Sequence, residues 1–147
     1  MLDKIDQQLI ELLRQDARLS YRDLGERVAL SANTVADRVR RLISDNILLG
    51  FAAKVNYSAL DLQVQALIDV KMLPSTSASH FESAIATIPG IVAATLTTGS
   101  YDYVLRVVCA QHADLVHLIE ALRARAGVQD THSRVILREL EVTSRLN

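Results

Sequence analysis

The chain is short of cysteine, of clustered histidine, of net charge and of long apolar runs, and each shortage removes a class of protein. Its single cysteine, Cys109, rules out an intramolecular disulfide and a multi-cysteine metal site. Cys109 stands in the run Val107-Val108-Cys109-Ala110, where a free cysteine is expected to be a buried strand residue. The four histidines, His80, His112, His117 and His132, are scattered. His112 and His117 lie five apart, a poor spacing for one site on a helix, so no metal is expected. No acid–base constellation has catalytic spacing, so neither an enzyme nor a cofactor is expected. No apolar run approaches the length of a membrane span. Asp3, Asp6 and Glu11 interrupt the N-terminus where a signal peptide would be apolar, and a cytoplasmic location is expected.

The formal net charge is −1, which excludes a domain-wide basic patch. Eight basic and eight acidic residues cancel between Met1 and Gly50, and the one local bias is Arg38, Arg40 and Arg41 against Asp37. What the chain does have is apolar content. Half of its 147 residues are hydrophobic, enough for one domain or two small ones and too much for disorder.

The N-terminal third reads as three helices. Leu2, Ile5, Leu9, Leu12 and Leu13 form a helical stripe, with Asp3 a plausible N-cap. Ser20 and Asp23 have capping-box spacing, and Leu19 and Leu24 fit a hydrophobic staple around the second helix. Ser31 caps the third, in which Val35, Val39, Leu42 and Ile43 share one side. Asn33, Thr34, Asp37, Arg40 and Arg41 then point away from that side, with Arg38 on its flank. Amide, hydroxyl and guanidinium groups on one helix face are the groups that read base edges and hold phosphates in a major groove. Two helices joined by a short turn is the helix-turn-helix pattern. Double-stranded DNA is therefore an expected partner, with modest affinity per subunit. Residues 46–55 carry two short apolar runs around Leu49-Gly50 and predict a β-hairpin wing, with Phe51 packing back on the helices.

Beyond a linker at 57–62 the texture changes. Val64, Ala66, Ile68, Val70 and Met72 alternate with Gln65, Leu67, Asp69 and Lys71, a strand with one well-buried face. Phe81, Ala84, Ile85 and Ile88 mark a helix closed by Pro89-Gly90. Two β-rich runs follow, Ile91 to Thr98 and Tyr103 to Ala110, then a helix through Leu115, Leu118, Ile119 and Leu122. A last strand lies within Val128 to Val142, centred on Val135-Ile136-Leu137. The order βαββαβ predicts a ferredoxin-like sheet with both helices on one face. Leu67 and its neighbours would leave the other face apolar in a monomer, which predicts a sheet-to-sheet homodimer carrying two DNA-reading heads. The expected fold class is α+β, with a winged helix-turn-helix domain at 1–56 and a ferredoxin-like domain at 63–147.

Taken in order, these marks resemble the leucine-responsive regulator/asparagine-synthetase regulator (Lrp/AsnC, feast/famine) family of transcription factors. They are Leu2-Asp3 with Asp6, Asp16-Ala17-Arg18-Leu19-Ser20, Leu30-Ser31, Arg38-Val39-Arg40-Arg41-Leu42 and Gly50-Phe51, then Thr98-Gly99-Ser100-Tyr101-Asp102-Tyr103, Gly127-Val128 and Thr131. The resemblance spans essentially the whole chain. It implies a C-terminal effector-binding domain (RAM), dimers that associate further into octamers, and an amino acid or related metabolite bound between C-terminal domains. The family's effector loop corresponds to Gly99, Ser100, Tyr101 and Asp102, with Thr131 and Ser133 as further hydroxyl contacts. Gly99 would let backbone N–H groups approach a carboxylate, and Asp102 would accept from an ammonium. The plainer reading of that loop is turn chemistry. The chain departs from the family at Ala29, where many members have Gly, and at Ala32, where a Pro often stands. Two other functions fit the same build: a sirohaem-type tetrapyrrole decarboxylase, and an architectural DNA-binding protein without an effector. The first would need cationic side chains and a histidine gathered on one site, which the spacing does not provide.

Overall fold

The structure, a computed structural model, describes residues 2–142. They divide into two compact units: one runs to Lys54 and takes in Glu141 and Val142, the other is Val55–Leu140.

In the first unit three helices follow from three caps. Helix α1 (Lys4–Gln15) starts at Asp3, whose side chain accepts from the Asp6 N–H while the Asp6 side chain accepts from the Asp3 N–H. Helix α2 (Tyr21–Val28) has the same reciprocal box from Ser20 and Asp23, and helix α3 (Ala32–Ser44) is capped by Ser31. Their apolar stripes meet in a core of Leu9, Leu13, Leu24, Val35 and Val39, with Ile5, Leu12, Leu19, Val28, Leu30 and Leu48 packed around it. The α2–α3 turn is tight. Ala29 adopts the left-handed conformation, φ 56°, ψ 44°, and the Leu30 N–H donates to the Gly25 carbonyl at 3.0 Å. A Cβ at Gly25 would run into the Leu30 carbonyl oxygen, so glycine is required for the close approach of turn and helix.

The hairpin expected at 46–55 is not formed. Asn46 turns through a positive φ of 55°, and the N–H groups of Ile47 and Leu48 both donate to the Leu42 carbonyl, at 2.9 and 3.0 Å. One arm of the would-be ladder has thus given its donors to the end of α3, and no strand occurs between residues 46 and 56. Phe51 borders a hollow lined by Leu13, Leu19, Tyr21 and Val39, yet stays 53% exposed, so it packs back only in part.

The second unit opens with a 3-10 turn, Tyr57–Leu60, inside the segment expected to be a linker. Then come β1 (Val64–Met72), α4 (Ala78–Ile85), β2 (Ile91–Leu96), β3 (Tyr103–Cys109), α5 (His112–Arg125) and β4 (Val128–Val135). The sheet has the order β2-β3-β1-β4, antiparallel throughout. This is the ferredoxin-like arrangement, and with the helical unit it gives the α+β class. Val64, Ala66, Ile68 and Val70 of β1 join Tyr103, Leu105 and Val107 of β3 in one core with Phe81 and Ile85 of α4 and Leu115, Leu118 and Leu122 of α5. Cys109 is buried there, and burial pushes its thiol pKa up. The alternate residues of the central strands, Gln65, Leu67, Asp69, Val104 and Arg106 among them, face the side without helices. The last strand ends at Val135, earlier than its apolar run suggested. The Ile136 N–H still donates to the Gln65 carbonyl at 2.8 Å, but Leu137 is 95% exposed.

Candidate DNA-reading helix and ligand loop

Helix α3 buries Val35, Ala36, Val39 and Leu42, and its opposite face is open. Asn33, Thr34, Asp37, Arg40 and Arg41 are all exposed, as the 3.6-residue period requires. Ile43, expected on the buried side, is exposed by 41%. Thr34 lies over the cap: its N–H donates to Ser31 Oγ at 3.2 Å, and the two hydroxyl oxygens are 2.8 Å apart. Arg40 Nη1 donates to Asp37 Oδ1 at 2.7 Å, an exposed pair one turn apart.

Arg38, expected to contact DNA, is paired within the helical unit. Its Nη1 donates to Asp3 Oδ2 at 2.6 Å and to Asp6 Oδ1 at 2.8 Å, and only 22% of its side chain is exposed. Arg41 gives Nη2 to Asp6 Oδ2 at 3.1 Å while 56% of its side chain stays exposed. Asp6 itself is 1% exposed. A buried carboxylate has to be paired, and this one lies within reach of two guanidiniums on a helix some 30 residues away. The Asp6 N–H and then the Arg38 guanidinium hold the Asp3 carboxyl below its ordinary range, and the same pairing raises the Arg38 pKa. Arg38 is thus first a tie between α3 and α1. The sequence signal for it is a matched spacing: Asp3 and Asp6 are one turn apart on α1, Arg38 and Arg41 one turn apart on α3.

In the second unit, Gly99 has φ 111° with open space where a Cβ would stand. Asp102 is tied into the sheet. Its N–H donates to the Val70 carbonyl at 2.8 Å, its Oδ2 accepts from the Met72 N–H at 2.8 Å, and its carbonyl accepts from the Thr97 N–H at 2.9 Å. The carboxylate expected for an ammonium therefore already caps the end of β1 with one oxygen. Thr131 and Ser133 stand opposite Val70 and Ile68 in the β1–β4 register, on the helix-covered side. Tyr101 instead stacks on His132, ring centroids 6.4 Å apart and planes 23° apart. His132 stands opposite Asp69 on the open side, and Arg134 opposite Leu67. Arg134 Nη2 donates to Asp69 Oδ1 at 2.7 Å, and His132 Nδ1 is 3.5 Å from Asp69 Oδ2. So the six expected effector residues do not form one cluster: Thr131 and Ser133 face away from the surface on which Tyr101 lies. His132 and Arg134 are the open-face alternates of Thr131 and Ser133 on β4, and Asp69 is the β1 residue opposite His132; the sequence alone does not single these out as a group. Among the described residues, no group of three side chains could hold a metal ion, and no helix is long and apolar enough to cross a membrane.

Comparison with known proteins matches both units. The AsnC-type helix-turn-helix domain profile fits residues 2–43, and the Lrp/AsnC ligand binding domain profile fits residues 65–146. The chain is 29% identical over 146 residues to the HTH-type transcriptional regulator FL11 of Pyrococcus furiosus, covering 99% of this chain and 96% of that protein. Two solved structures carry an amino acid. One is a Neisseria meningitidis transcriptional regulator in complex with L-Met, 29% identical, TM-score 0.88, covering 100% of this chain and 97% of that one. The other is the feast or famine regulatory protein of Mycobacterium tuberculosis complexed with L-methionine, 29% identical, TM-score 0.89, covering 97% and 96%. With the ligand-binding profile alone covering more than half of its length, the chain belongs to the Lrp/AsnC family of transcriptional regulators.

Proposed function

We propose that this regulator reads a two-fold-symmetric DNA site through the open face of α3, with an amino acid or related metabolite as its effector. The observation that carries the reading is the α3 face itself. Asn33, Thr34, Asp37, Arg40 and Arg41 stand exposed on a helix whose other side is anchored in the core. Asn33, Thr34 and Asp37 are the candidates for base choice. Arg40 and Arg41 would hold phosphate, and Arg38 would act indirectly by fixing the helix. Residues 1–56 would carry DNA binding, and 63–147 effector binding and self-association.

Half-buried Leu67 and Val104 lie on the side of the sheet without helices, and this supports a dimer closed over that face. Further association to an octamer belongs to the same proposal. Binding of L-methionine by two structural neighbours supports an amino-acid effector. The loop Gly99, Ser100, Tyr101 and Asp102 is the proposed ligand contact, extended by His132 rather than by Thr131 and Ser133 on the opposite side of the sheet. Such a ligand acts only through different affinities for two states of the assembly.

Selection of duplexes from a randomised pool by the full chain tests the DNA reading. Enrichment of one palindromic motif is expected; a pool that stays random would overturn it. A melting-temperature screen of the twenty amino acids tests the effector, since a bound ligand raises the midpoint by mass action. No rise with any of them would remove the amino-acid reading.

A further inference from the structure

We propose that Asp6, which lies on α1 and outside the reading face, is a positioning residue for DNA discrimination. It holds α3 and its guanidiniums in one register, and it cancels charge that would otherwise draw DNA of any sequence. The inference rests on the DNA reading above and adds a residue and a mechanism to it.

The geometry is a two-point lock. Asp6 Oδ1 accepts from Arg38 Nη1 at 2.8 Å, and Asp6 Oδ2 accepts from Arg41 Nη2 at 3.1 Å. Asp3 Oδ2 accepts from the same Arg38 Nη1 at 2.6 Å. The apolar side of α3 is already seated in the core through Val35, Val39 and Leu42, and the ionic contacts add a polar constraint at its flank. Two carboxylates one turn apart on α1, engaging two guanidiniums one turn apart on α3, oppose both rotation and sliding. The reading side chains share that rigid helix, so their approach to base edges depends on the lock.

The charges point the same way. On α3, Arg40 is answered by Asp37, and the charge of Arg38 and Arg41 is answered by Asp3 and Asp6. Phosphate attraction scales with the number of cations free to displace counterions. A head balanced in this way holds unselected DNA weakly and leaves base contacts to decide. Removing the Asp6 charge has two effects at once: it loosens the register, and it frees guanidinium charge for phosphate.

The test uses full-length wild type, Asp6→Asn and Asp3→Asn. The probes are the duplex selected by the wild type and an unselected duplex of equal length, each titrated over a range of salt. Asp3→Asn is the gentler variant. The Asp6 N–H is held by Asp3 Oδ1, which an asparagine oxygen replaces, whereas Arg38 uses Oδ2. For Asp6→Asn the selected-to-unselected affinity ratio is expected to fall roughly tenfold, the size of one lost base contact. Its salt dependence on unselected DNA steepens by about one counterion for each freed guanidinium. Asp3→Asn shifts both readouts in the same direction, by less. A purely structural Asp6 would lower the active fraction on both probes equally, leaving ratio and slope unchanged, and that result overturns the proposal. Should Asp6→Asn melt below the assay temperature, Asp3→Asn carries the test alone. A wild type that does not discriminate overturns the DNA reading itself, and this inference with it.

Discussion

Ala29 holds φ 56° where a glycine would be at ease. The left-handed conformation costs an L-residue about 1–2 kcal/mol. Glycine gives back roughly 0.5–1 kcal/mol of that through the larger entropy of its unfolded chain. Ala29→Gly is therefore expected to stabilise the helical unit by about 0.5–1 kcal/mol, read as a higher denaturant midpoint without loss of DNA binding. Tyr103 makes a second residue-scale prediction. Its hydroxyl donates to Glu82 Oε1 at 2.7 Å, and acceptance by that carboxylate, with burial, pushes the phenol up to about 12 from 10.0. A raised folded pKa means stability fully present below pH 10.0 and lost as pH rises from there towards about 12. Wild type should show that alkaline loss, with tyrosinate absorbance appearing in the same window, and Tyr103→Phe should flatten it. The turn residue was legible in the sequence as a departure from a pattern. The Tyr103–Glu82 bond was not, because nothing local relates a strand residue to a helix residue 21 positions earlier.

At the scale of elements, α3 separates into exposed side chains proposed to read DNA and side chains paired to α1. Replacing Asn33 and Arg40 by alanine should weaken the selected duplex by roughly tenfold for each lost contact, with the melting temperature unchanged because both are exposed. Arg38→Ala should do something different. It removes one of the two guanidiniums facing buried Asp6, so the melting temperature falls. Equal melting temperatures for the two variants would sink the division of roles. The helices themselves were readable, since a cap and a stripe at 3.6 spacing lie within one or two turns of each other. The wing was not readable: its apolar runs look like a hairpin until the Leu42 carbonyl takes the N–H groups of Ile47 and Leu48. The end of β4 failed for a similar reason. Ile136 and Leu137 have strand composition, but pairing with β1 stops near Gln65.

For the whole molecule, the proposed assembly rests on the open face of the sheet. Leu67 stands opposite Arg106 on β3 and Arg134 on β4. A carboxylate placed there would sit between two guanidiniums, so Leu67→Glu should keep the folded subunit while opposing apolar contact with a second copy. Sedimentation velocity should find wild type dimeric or larger and the variant shifted towards monomer, with unchanged circular dichroism. A monomeric wild type would end the sheet-to-sheet proposal. What the sequence determined by itself was local: three capped helices, the βαββαβ order, the turn at Ala29 and a polar face on α3. These follow from spacings of two to four residues, which backbone geometry imposes on any chain. What only the tertiary structure decided was which polar groups remain available. Arg38 and Asp6 are 32 residues apart and meet at 2.8 Å, and Tyr101 meets His132 while Thr131 and Ser133 lie on the other side of the sheet. Charge and amide groups look alike in sequence wherever they stand, and it is the packing of distant elements that pairs some of them and leaves others free to bind.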